Sequence, residues 1–331
     1  MRVLLLLLSL FPALALAATE SRVRQVGALE VGVLQAGDTR LRVEIAGVED
    51  PARLRMLQRW IEETADAART QSGRFPLRDA YVRIQQTDSD DDSPVPWGQT
   101  RRRGDAGVLL YVRSDASYEQ LRADWTAVHE LSHLFHPYLG DSGRWLAEGL
   151  ASYYQNVSRA RASMLDGEEA WRRLDAGFRR GQAASSGARL DAMGRGRGGT
   201  MRVYWAGAAY WLEADLALRR DAGTTLDAVL DRYADCCLHG TDSVLPQDFA
   251  SALDDLAGGD TFSALYRRYA ASREFPSLAD AYARLGIGRD GDGLAFSGNA
   301  NARQLREAIM APRRQSSSIR WAAPASSPSR P

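Results

Sequence analysis

The chain predicts an α+β protein, with a small N-terminal α/β part and a mainly helical C-terminal part. Two observations carry this expectation. Segments that alternate apolar and polar residues, the period of a half-buried strand, lie before Ser117. From Ser117 onward, apolar residues recur at helical spacing in one segment after another.

Each element has its own warrant. Met1-Arg2 is a short basic start, an apolar run follows, and Ala15-Leu16-Ala17 has the small-x-small pattern of a signal-peptidase site. Residues 1–17 are therefore expected to be a secretory signal, too short and broken to span a bilayer. The protein is expected to be exported, periplasmic or secreted, with no stable membrane insertion after cleavage. Residues 18–116 form the N-terminal α/β subdomain. LRVEIAG (41–47) alternates as a strand. In the helix that follows, Leu54, Leu57, Trp60, Ile61 and Ala65 share one face, Pro51 suits the first turn and Gly73 lies past the end. AYVRIQQ (80–86) alternates again, TDSDDDSPVPWG (87–98) reads as an acidic surface loop, and AGVLLYVR (106–113) as a short apolar strand. This subdomain is expected to end in a substrate-side edge strand.

The helical subdomain covers 117–288. Ser117 and Gln120 make a capping box, and one helix is expected from there to about His136, where Pro137 stops it. Gly140 supplies a tight turn, and Ser142 is read as the N-cap of a second helix running through Tyr154. Further helices fit 164–181, 201–220, 224–234, 246–257, 260–271 and 276–285. The glycine- and arginine-rich stretch 187–200 reads as a loop; 194–199 is a candidate lid, although a plain connector explains it as well. The C-terminal extension, 289–331, is expected to be largely disordered.

Composition excludes several functions. The 42 basic and 42 acidic residues balance, which argues against a nucleic-acid partner held by a broad basic surface. Every basic residue is arginine, so chemistry at a lysine is excluded. Cys236 and Cys237 are the cysteines; a disulfide between neighbours is strained, so free thiols are expected.

The chemistry concentrates in HELSHLFHPYLGDSGRWLAEGLASYY (129–154), which holds three of the four histidines. GDSG resembles a serine-peptidase fragment, but its helical surroundings and the lack of a distant histidine and aspartate oppose that reading. HELSH is different. Residues four apart lie nearly on one helical face, so His129 and His133 can aim two imidazoles at one zinc ion, with Glu130 beside them as general base. A catalytic zinc takes a third protein ligand. His136, Asp141 and Glu148 are the candidates. Glu148 is favoured because it stands among Trp145, Leu146, Leu150 and Tyr153, where an unpartnered carboxylate is costly. An antiparallel helix pair would return Glu148 to the level of His133.

HELSH followed by WLAEGLASYY resembles the gluzincins, zinc metallopeptidases with two histidines and a glutamate, specifically the glycyl aminopeptidase family and more distantly aminopeptidase N. VYWAGAAYWLEADLALRR (203–220) resembles their Tyr-x-x-Gly-Ala helix. The resemblance implies a thermolysin-like catalytic region, one Zn2+ ion on His129, His133 and Glu148, and a peptide or protein substrate. It also implies that Tyr204 donates to the oxyanion. Ser152, one turn after Glu148, is a candidate support for a ligand imidazole, and a plain packing role explains it as well. The stretch 96–107, PWGQTRRRGDAG, matches the substrate strand of those families but lacks their amine-binding glutamate. The function implied is an exported zinc-dependent peptidase. The alternative is a catalytically silent zinc-binding or cell-envelope binding protein on the same fold, against which the intact Glu130 argues.

Overall fold

The computed structural model describes residues 29–102, 104–193, 199–240, 242–291, 293–312 and 319–322. The signal sequence expected at 1–17 and most of the candidate lid, 194–198, lie outside them. The N-terminal part is built from β1 (Leu29–Ala36), β2 (Thr39–Ala46), α1 (Pro51–Arg69), β3 (Asp79–Thr87), β4 (Trp97–Arg101) and β5 (Gly107–Arg113). The sheet order is β4-β5-β3-β2-β1, closed on the far side by β8 (Arg320–Ala322). Strands β2, β3 and β5 run parallel, and β4 runs antiparallel to β5 at the edge. Alternation decides which face is buried. Leu41, Val43, Ile45, Val82, Ile84, Val108 and Leu110 are buried in the same apolar core as Leu57, Trp60 and Ile61 of α1.

The helical part follows in order: α2 (Tyr118–Ala123), α3 (Thr126–Ser132), α4 (Arg144–Arg161), α5 (Gly167–Ala183), α6 (Thr200–Ala217), α7 (Leu226–Cys236), α8 (Pro246–Ala257), α9 (Thr261–Ala270) and α10 (Ala279–Leu285). A hairpin of β6 (Ile287–Asp290) and β7 (Gly293–Phe296) then leads to α11 (Ala300–Met310). Helices α4 and α6 form the centre. Both are buried on nearly every side, and they cross where Gly149 meets Gly207. A Cβ on Gly207 would stand 1.8 Å from the Trp145 carbonyl oxygen, and one on Gly149 would stand 2.2 Å from the Gly207 carbonyl carbon. Only glycine at both positions lets the two backbones touch.

Four expectations need correction. The single helix expected from Ser117 to about His136 is broken: Asp124 is extended (φ −74°, ψ 152°), and its carboxylate accepts from the Thr126 amide at 2.7 Å. That side chain caps a new helix instead of continuing the old one. The capping box on Ser117 is present, and Pro137 follows a single 3-10 turn over His133–Phe135. The N-cap of α4 is Gly143 rather than Ser142, which is exposed in the turn and caps nothing. The edge strand, β4, lies within the 96–107 stretch matched to the substrate strand, and the apolar β5 lies one position inside. Parts of the extension expected to be largely disordered are packed: Ile309 and Met310 of α11 are buried, Arg161 donates to the Ile309 carbonyl at 2.8 Å, and β8 pairs with β1. Finally, Cys236 and Cys237 are joined in a disulfide. The helix ends between them, and Cys237 leaves helical geometry (φ −138°), so the two exposed side chains can meet.

Candidate metal centre

Helices α3 and α4 and the edge strand β4 bring the sequence-predicted residues together. One ligating atom from each of His129, His133 and Glu148 lies within 4.8 Å of the others, and this is the group among the described residues able to hold a metal ion. Glu148 Oε2 is 3.3 Å from His129 Nε2 and 3.5 Å from His133 Nε2. Burial alone would raise the Glu148 carboxyl, but its contacts with the His129 and His133 rings outweigh burial and hold the group well below the usual carboxylate range. The same exchange acts on His129: burial lowers it, Glu148 and Glu130 raise it more, and the imidazole ends above its ordinary value.

The other two third-ligand candidates stand elsewhere. Asp141 is exposed in the turn before α4. His136 is buried behind His133, its Nε2 3.0 Å from His133 Nδ1 and its Nδ1 2.7 Å from the Pro137 carbonyl oxygen. Burial, and then the neighbouring Arg102 guanidinium, hold the His136 ring well below its ordinary value.

Glu130 sits at the mouth between α3 and β4. The Thr100 hydroxyl is 2.8 Å from the Glu130 carbonyl oxygen and 3.0 Å from its Oε2, so its one proton serves one acceptor at a time. Gly98 makes this approach feasible. A Cβ there would come 2.6 Å from Glu130 Cγ and 3.0 Å from Thr126 Cγ2. Just past the end of β4, Arg102 donates to the His133 carbonyl and, at 3.2 Å, to that of Gly240, which pins the end of the histidine helix; burial brings its guanidinium down to about 10.

Tyr204 reaches the site from α6. Its ring stacks on His129 with centroids 5.7 Å apart and planes 8° from parallel, and its phenol is raised by burial and then by the adjacent Glu148 carboxylate. The Gly149–Gly207 crossing explains the placement, because Tyr204 precedes Gly207 by one turn while Glu148 adjoins Gly149.

Sequence reasoning missed three neighbours. Gln155 Oε1 accepts from His129 Nδ1 at 2.8 Å, while Ser152, whose buried Oγ has no hydrogen-bond partner, takes the plain packing role. Gln155 lies seven residues after Glu148, two turns along the same face, and that spacing was readable. Arg144, one turn before Glu148, places Nε 3.7 Å from Glu148 Oε1 and its guanidinium 5.7 Å from the Tyr204 ring centre. Trp125 stands edge-on to His129, with centroids 5.3 Å apart, and is 42% exposed at the rim of the site.

No protein-family model matches the chain, and no curated protein matches it. Solved structures share its fold. It overlays on an aminopeptidase N family protein from Idiomarina loihiensis with a TM-score of 0.56 and 12% identity, covering 78% of this chain and 49% of that one. It overlays on yeast LTA4 hydrolase in complex with Bestatin with a TM-score of 0.51 and 13% identity, covering 78% and 43%. An M1 zinc metallopeptidase from Deinococcus radiodurans gives a TM-score of 0.47 and 19% identity, covering 76% and 53%. The chain thus spans about half the length of the structures it matches. The first two likenesses bear out the α+β architecture, with a small N-terminal sheet and a mainly helical remainder.

Proposed function

We propose that the protein is an exported zinc-dependent peptidase of the gluzincin type, hydrolysing peptide bonds with Glu130 as general base. The observation that carries the reading is the convergence of two imidazoles and one carboxylate within 4.8 Å, with a second carboxylate, Glu130, next to them on a peptidase-like fold. The donors fit zinc: two neutral nitrogens and an anionic oxygen form a usual catalytic set, and Gln155 supplies the kind of outer partner that a ligand imidazole takes. His129, His133 and Glu148 would hold the ion. Zinc in that place supplies Lewis acidity, making water acidic near neutral pH and polarising a carbonyl oxygen.

The remaining work falls to the chain. Glu130 takes a proton from the attacking water and returns it to the departing amine. Tyr204, kept protonated by burial and by Glu148, donates to the substrate oxygen as negative charge builds on it. Strand β4, with Gly98 facing Glu130, presents a free edge to an extended peptide. No described residue of that strand is acidic, so a free amine finds no anchor there.

The deciding experiment is Glu130→Gln. Zinc content is expected to stay at that of the wild type while cleavage of a peptide library is lost; unchanged hydrolysis would remove Glu130 from the reaction. A wild-type protein that binds zinc and cleaves nothing would favour the silent zinc-binding alternative.

A further inference from the structure

We propose that His136 is a positioning residue that selects the metal-binding tautomer of His133, a step that rests on the zinc reading above. The reasoning follows one proton at a time. A carbonyl oxygen can only accept, so His136 Nδ1, 2.7 Å from the Pro137 oxygen, carries the ring proton. A neutral His136 then has a bare Nε2. That atom lies 3.0 Å from His133 Nδ1, so His133 must supply the proton between them. With its Nδ1 proton committed to His136, His133 keeps Nε2, the atom that faces Glu148 3.5 Å away, as the one to give to a metal. The hydrogen bond made by one ring nitrogen thereby decides what the other can bind.

The arrangement is well isolated. His136 is 3% exposed, so water does not compete for its Nε2. Arg102 holds the His133 carbonyl and fixes the turn that carries both rings. His129 reaches the same state by a simpler route, through the Gln155 oxygen. A second imidazole can serve as the outer partner only if its own tautomer is set, and the Pro137 carbonyl sets it. Pro137 thus acts twice, ending the histidine helix and orienting the relay behind it.

The test is zinc affinity by chelator competition in the full protein, for wild type, His136→Phe and His136→Gln. Phenylalanine fills the space without an acceptor and is expected to weaken zinc binding about 10- to 100-fold. Glutamine offers an amide oxygen to His133 Nδ1 and is expected to restore affinity to within a few-fold of wild type. In zinc-loaded wild type with labelled ring nitrogens, scalar coupling is expected across the hydrogen bond between His133 and His136, and only four histidines need assignment. Equal affinity in wild type and H136F overturns the proposal, as does an H136Q variant as weak as H136F. Absence of the coupling also overturns it, and that measurement requires no variant to fold. A wild-type protein that takes up no zinc overturns instead the metal reading beneath it.

Discussion

Single atoms around His129 decide whether the site is rigid. Its Nδ1 proton has one acceptor, the Gln155 oxygen at 2.8 Å, and its far face is covered by the Tyr204 ring. Gln155→Leu keeps the bulk and removes the acceptor; zinc affinity should fall about 10- to 100-fold, which chelator competition would measure. Ser152→Ala should leave that affinity unchanged, since the Ser152 hydroxyl touches no polar partner. Tyr204→Phe separates binding from chemistry. Zinc should be retained and kcat should drop roughly 10- to 1,000-fold, the scale of losing one oxyanion donor. Wild-type turnover in that variant would place Tyr204 outside the reaction.

Between elements, the contact of α4 with α6 is the critical joint. Gly149 and Gly207 let two helix backbones meet, and the joint carries Glu148 on one helix and Tyr204 on the other. Gly207→Ala would push a methyl group to 1.8 Å from the Trp145 carbonyl oxygen, so the helices must separate. Overpacking of this kind costs about 1–3 kcal/mol, and denaturant melts should register it. Gly288→Ala, at a position with open space, serves as the comparison and should shift stability by less than about 0.5 kcal/mol.

Across the whole molecule, arginine does structural work that lysine's single charged point could not. Arg53 donates to the carbonyls of Ala116 and Arg113, Arg102 to those of His133 and Gly240, Arg161 to that of Ile309, and Arg202 to those of Ala188 and Ser272. The planar fork reaches two backbone segments at once and stitches loops to helices. The metal would add to this stitching, because three donors from two helices meet at one point. Removing zinc with a chelator should therefore lower Tm, and adding it back should restore it. At a free zinc concentration about 1,000 times Kd the linkage amounts to about 4 kcal/mol, a shift that calorimetry resolves.

The sequence alone determined whatever depends on neighbours within a turn or two. His129 and His133 share a face because they are four apart; Pro51, Ser117 and Pro137 mark boundaries by their own backbone chemistry; and the alternation in 41–47 and 80–86 declares two strands. Glu148 was legible as a partner for the histidines because a lone carboxylate in an apolar helix needs one, and the structure brings it to them. Other features depend on what a distant segment offers. Trp97–Arg101 became an edge strand because β5 provides its hydrogen-bonding partners, and 320–322 joined the sheet because β1 does. Gln155 rather than Ser152 supports His129, and His136 turns behind His133 rather than toward the metal site. These outcomes were settled by side-chain reach and packing across helices, which no local period encodes.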